Sequence, residues 1–254
     1  LYACFCSCTG NVVASPHPLF YFLFFIKKKN LSSRAQPHKT KIYFYHKEKA
    51  PQSEIRVGYV ALPFDAYGDF YNCQLMNFIL GGTFNSRINL NLREDKGFTY
   101  GARSSFNGSK YKGPFTVSTG VKANTTDSSL VEIFNEIKKY KTKGITDEEL
   151  NYTKNSISLS EALKYETNGK KAGFLKIIVE FNLEKDYLEK QKNILKSATK
   201  TFINATAAKY LTDDKMVIVV VGNRDVVLEP LKKLGYDIDE YNGQGTFVIT
   251  HTKK

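Results

Sequence analysis

Histidine is scarce in this chain and badly placed for metal chemistry. The 254 residues hold four, His17, His38, His46 and His251, so none lies between residues 47 and 250. There is no H-x-x-E-H or H-E-x-x-H, so no helix offers two imidazoles to a zinc ion. A Ser-His-Asp triad fails for the same reason, because no histidine within the body can serve as its base. Cysteine is equally thin: Cys4, Cys6 and Cys8 crowd the start and Cys73 stands alone. That excludes a disulfide within the body and matches no standard zinc spacing. Long apolar runs are missing too. The run over residues 19–26 is eight residues long, well short of the ~20 that a membrane-crossing helix needs. Lys27, Lys28 and Lys29 follow it, the reverse of the order in a secretory signal. Gly81-Gly82 has no Gly-Lys-Ser/Thr sequel, so a phosphate loop is unsupported. No metal site and no firm membrane span are therefore expected.

What is present is positive charge, unevenly spread. The formal net charge is +12, of which residues 1–50 carry +7 and residues 51–252 only +3. A nucleic-acid binder concentrates its basic face within the fold, so nucleic acid is not an expected partner. Residues 1–37 are read as a disordered or artefactual leader, and 38–254 as one folded domain.

From residue 40 periodic patterning begins. Alternation predicts strands over 41–45, with Ile42 and Phe44 on one face, and over 53–60, with Ile55, Val57 and Tyr59. Cys73, Met76 and Leu80 form the buried stripe of a helix over 69–80, which Gly81-Gly82 ends. A second helix, over 86–96 with Asn85 or a neighbour as its cap, carries Ile88 and Leu92 and stops at Gly97. Strands over 98–106 and 115–121 follow, then a helix over 128–142 with Leu130, Phe134 and Ile137 inward. Thr146 and Glu149 fit a capping box, with Ile145 and Leu150 as hydrophobic staple. Three or four helices occupy 147–210. The β-branched run 216–221 reads as a strand buried on both faces or at the sheet centre. A short helix over 227–234 and a weak strand over 246–250 finish the chain. Hairpins outnumber βαβ units, so the fold class is α+β, a largely antiparallel sheet with helices packed on one face.

Cys73 sits on the apolar helix stripe and is expected to pack rather than react. Glu148-Glu149 opens a helix, where acids favour the dipole, so it is no catalytic carboxylate pair. The densest polar segment is 81–101, GGTFNSRINLNLREDKGFTYG. Arg93 falls in the last turn of its helix and Tyr100 on the following strand, with Gly97 as hinge. So placed, a guanidinium and a phenol can offer fixed donors to a carbonyl or an oxyanion. The alternative is that Arg93 only complements its helix C-terminus and Tyr100 packs in the core.

This segment resembles the insulinase/pitrilysin family of zinc metallopeptidases, whose members include the mitochondrial processing peptidase. The resemblance rests on Leu80-Gly81-Gly82, Phe84, Ser86-Arg87, Asn89, Leu92-Arg93-Glu94, Lys96-Gly97 and Thr99-Tyr100-Gly101. Gln52-Ser53, the Thr146 capping box and 217–222 extend it. The resemblance implies the non-zinc half of a two-half clamshell, the half-domain fold of that family. It implies substrate-binding roles for Arg93, Tyr100, Gly82 and Asn89, with no catalytic residue and no metal ligand in this chain alone. Zinc is implied in a homologous half or partner subunit, and a peptide is the implied substrate. The other reading that the resemblance allows is a non-catalytic structural or regulatory subunit. A bacterial periplasm or cell envelope is the compartment it favours.

Overall fold

The computed structural model describes residues 38–161 and 165–253. The leader, its three cysteines and the apolar run over 19–26 lie outside the described residues. Seven strands make one sheet: β1 (Lys41–His46), β2 (Gln52–Val60), β3 (Thr99–Phe106), β4 (Pro114–Lys122), β5 (Val217–Gly222), β6 (Asp237–Tyr241) and β7 (Phe247–His251). Their spatial order is β3-β4-β2-β5-β1-β6-β7. The pairs β2–β4, β2–β5, β3–β4 and β6–β7 are antiparallel. β1 runs parallel to both of its neighbours, β5 and β6. The sheet is thus largely antiparallel, as the hairpins predict.

Alternation decides which face is covered. Ile42, Phe44, Ile55, Val57, Phe115, Val117, Ile218 and Val220 are fully buried on one face. The intervening Tyr43, Arg56, Thr116, Val217 and Val219 are only half-buried or exposed. β5 therefore holds the sheet centre, as its β-branched run predicts, but it is covered on one face only.

Eight helices are described: α1 (Asp69–Asn77), α2 (Arg87–Asn89), α3 (Thr126–Lys143), α4 (Asp147–Glu161), α5 (Asn168–Phe181), α6 (Tyr187–Ser197), α7 (Lys200–Tyr210) and α8 (Arg224–Lys232). α1 buries Cys73 and Met76, and α3 buries Leu130 and Ile137, as their spacing predicts. The capping box is present: Glu149 N–H donates to Thr146 Oγ1 (3.2 Å), and Thr146 N–H donates to Glu149 Oε2 (2.8 Å). Ile145 and Leu150 both join the core.

Three features depart from the sequence reading. Both helices around the polar segment loosen into wider π-helical turns, α1 into Phe78–Gly82 and α2 into Leu90–Asp95. Such turns recur at functional sites, and periodicity alone does not separate them from α-helix. The expected side-chain cap on α2 is missing. Ser86 holds the N-cap position without a capping hydrogen bond, and the Asn85 amide instead donates to Tyr152 Oη at 3.3 Å. β6 was not anticipated, because the acids of its DIDEY sequence mask a strand. Lys41 and Lys39 neutralise Asp239 and Asp237 on it, and Arg224 and His251 both bind the buried Glu240.

Candidate functional site

The two π-helical turns pack on β3, the sheet edge. Gly81 is needed at that contact, since a Cβ there would lie 2.2 Å from Ser104 Oγ and 2.6 Å from Ser104 N. Two buried asparagines then occupy the outer edge of β3. Asn77 Nδ2 donates to Ser104 O (2.8 Å), and Ala102 N–H donates to Asn89 Oδ1 (2.9 Å). Side chains thus satisfy backbone groups that would otherwise invite another strand. Asn89 also donates through Nδ2 to Phe84 O at 2.6 Å. It clips the loop before α2 to β3.

β3 begins with a bulge. Its register against β4 shifts between Thr99 and Ala102. Thr99 Oγ1 donates to Gly120 O (2.6 Å) and accepts from Gly101 N–H (3.0 Å), while the Thr119 hydroxyl lies 3.0 Å from both Thr99 Oγ1 and Gly101 O. Bulges re-aim side chains, and here Tyr100 stands 90% exposed. The core-packed alternative for Tyr100 is therefore overturned.

Arg93 sits in the last turn of its π-helical segment. Gly97, at φ +62° with nothing within 4 Å of its would-be Cβ, supplies the left-handed residue that reverses the chain towards β3. The Arg93 guanidinium lies 4.5 Å from the Phe84 ring centroid, a cation–π contact. Its Nη1 is 3.4 Å from Glu94 Oε1, yet it is shielded from solvent without a hydrogen-bond acceptor.

Arg93 and Tyr100 come together in the structure. Both line a hollow of about 300 Å³, with Gln52, Glu94, Thr99 and Lys122 among the other walls. The other two residues singled out from the sequence do not line it. Asn89 is 3% exposed with its amide engaged inside the chain, so its place is that of a positioning residue. Gly82 is exposed beside Asn77, where a Cβ would lie 3.1 Å from Asn77 O. Sequence reasoning assigned no site role to Gln52 or Lys122. They are paired across β2 and β4, and only strand register brings residues 70 apart to the same wall. Phe84 was likewise a matching residue with no assigned task.

At the start of α2 the frame is ionic. Arg87 forks onto Glu149 (2.6 Å to each oxygen), donates to Gly144 O (2.8 Å) and lies 4.9 Å from the Tyr140 ring centroid. Burial raises the pKa of the Glu149 carboxyl, but Arg87 and the Thr146 N–H outweigh it and hold that pKa below its ordinary value. Burial pushes the Cys73 thiol up to about 12, which fits a packing role.

The donor set does not fit a zinc ion. Among the described residues no group of three or more His, Cys, Asp or Glu side chains can hold a metal. His46 Nδ1 accepts from Arg224 N–H and His251 bonds to Glu240. Among the described residues, no helix is long and apolar enough to cross a membrane.

The family model of the peptidase M16 inactive domain matches residues 14–157. In sequence the chain is similar to the uncharacterized zinc protease YmxG of Bacillus subtilis, 28% identical over 125 residues, 49% of this chain and 30% of that protein. In structure it is similar to a peptidase M16 inactive domain from Pseudomonas fluorescens, with TM-score 0.66 and 27% identity over 74% of this chain and 45% of that one. A protease from Helicobacter pylori shares the fold at TM-score 0.65 and 18% identity, again over 74% of this chain and 45% of that one. The chain spans less than half the length of these relatives.

Proposed function

The chain belongs to the peptidase M16 inactive-domain family, and from that premise we propose that it is the substrate-clamping half of a zinc endopeptidase. A homologous half or partner subunit holds the zinc. The observation that carries this reading is the shared hollow: Arg93, from the end of a helix, and Tyr100, from the bulge of an edge strand, line it together. Among the described residues neither side chain carries a hydrogen bond that would have to break first, and the Arg93 contact to Glu94 is a 3.4 Å ion pair.

The chemistry follows from charge development. A peptide carbonyl accepts hydrogen bonds from the Tyr100 hydroxyl and the Arg93 guanidinium. When that carbonyl becomes tetrahedral its oxygen gains negative charge, and donors already in place stabilise it more than they stabilise the ground state. Tyr100 is open to solvent in this half alone. Closure of the second half removes that water, lowers the local dielectric and strengthens both contacts. The chain by itself is expected to cleave nothing.

The test is reconstitution with a zinc-bearing half and measurement of peptide turnover. Tyr100→Phe removes the hydroxyl and is expected to lower kcat by about 10²-fold, the cost of one oxyanion donor. Its melting temperature should match the wild type, because the ring is exposed. Unchanged turnover overturns the assignment of Tyr100.

A further inference from the structure

We propose that the hollow also reads a carboxylate on the bound peptide, through Lys122 and Gln52; this rests on the peptide-clamping reading of Arg93 and Tyr100. Gln52 opens β2 and Lys122 ends β4, and the two are direct partners in the antiparallel register. Both are exposed and both line the same hollow as Arg93 and Tyr100.

The local charge is unbalanced. Among the described residues, the one carboxylate on the wall is Glu94, which lies against Arg93 at 3.4 Å. The next acid along β2, Glu54, is engaged by Arg56 at 3.0 Å. No hydrogen bond or ion pair involves the Lys122 ammonium or the Gln52 amide among the described residues. Lys122 therefore brings an uncompensated positive charge to a concave site, next to a primary amide with two N–H donors.

An unpaired ammonium beside an unpaired amide, with the Glu94 carboxylate taken up by Arg93, suits an anion. Tyr100 and Arg93 are matched to a carbonyl oxygen, and the ammonium on β4 and the amide on β2, the next two strands in the sheet, are matched to a carboxylate beside it. The carboxylate can come from an Asp or Glu side chain or from a peptide C-terminus, and the chemistry of recognition is the same. A hydrated ammonium is a point charge with rotatable donors, so it tolerates either source.

The chain of residues 1–254 is titrated by NMR with three short peptides of otherwise identical sequence. One is blocked at both ends and carries Glu, the second is its Gln counterpart, and the third is the Gln peptide with a free C-terminal carboxylate. The wild type is expected to bind at least one carboxylate-bearing peptide about fivefold more tightly than the blocked Gln peptide. Lys122→Gln should abolish that preference while leaving the affinity for the blocked Gln peptide unchanged. Tyr100→Phe should weaken all three alike. Tighter binding of the Glu peptide alone assigns a side-chain carboxylate, and of the free-terminus peptide alone a C-terminal one; either supports the proposal. Equal binding of all three peptides, or a preference that survives Lys122→Gln, overturns it. If that equal binding still weakens in Tyr100→Phe, the clamping reading stands without the carboxylate. No binding of any peptide overturns both.

Discussion

Asn89→Ala separates a residue that touches substrate from one that builds the site. The Asn89 amide bridges Ala102 N–H at 2.9 Å and Phe84 O at 2.6 Å, from a position 3% exposed. Truncation leaves the Ala102 N–H buried at the sheet edge without a partner. A stranded buried group costs about 1–3 kcal/mol, so ~2 kcal/mol is expected for this one. The Phe84 carbonyl is nearer to solvent and should contribute ~1 kcal/mol more. For a domain of this size ~3 kcal/mol lowers the melting temperature by about 6–12 °C. Circular dichroism melting of the full chain measures the shift, and urea titration should give a lower midpoint at unchanged slope. Asn89→Asp keeps the acceptor for Ala102 N–H and loses only the donor to Phe84, so it should fall between wild type and Asn89→Ala. A melting temperature for Asn89→Ala within 2 °C of wild type would refute the clip and return Asn89 to the substrate-binding set.

Three other perturbations test the ion pair and the two glycine positions. Glu149 titrates below its ordinary value in the folded chain, because Arg87 and the Thr146 N–H outweigh the opposing effect of burial. Its stabilising contribution is then complete above the unfolded value of about 4.3 and is lost as pH falls through the lower folded-state value. Denaturant midpoints of the wild type should therefore drop more steeply below about pH 4 than those of Glu149→Gln; parallel profiles would show that the pair contributes nothing. The glycines differ in cause. Gly81→Ala must push β3 away from the π-helical turn and should cost about 1–3 kcal/mol. Gly97→Ala has open space, but at φ +62° it should cost about 1–2 kcal/mol, partly recovered by Gly97→Asn. Equal melting of Gly81→Ala and wild type would contradict the close approach.

Much of this fold is legible locally. Ile55, Val57 and Tyr59 alternate because one face of β2 is covered, and the Thr146–Glu149 box is a reciprocal pair of bonds spanning one helical turn. Such features need only neighbours in the chain. β6 was missed because its acids are neutralised by residues from elsewhere: Lys39 and Lys41 from the start of the domain, Arg224 from α8. The missing cap on α2 lies at Ser86, whose buried hydroxyl has no hydrogen-bond partner among the described residues.

The amino-acid order alone determined the α+β class, the helical segment with Arg93 in its last turn, the strand that carries Tyr100, and the lack of a histidine-based zinc site within residues 47–250. Periodicity, capping and residue inventory are short-range properties, and they survive without a fold. Only the tertiary structure decided that the guanidinium and the phenol share one hollow, that Asn89 serves the backbone instead of facing that hollow, and that Gln52 and Lys122 stand beside the pair. Those outcomes depend on strand register, on a bulge of one or two residues and on the close approach at Gly81. A shift of one residue in any of them would turn the same side chains the other way.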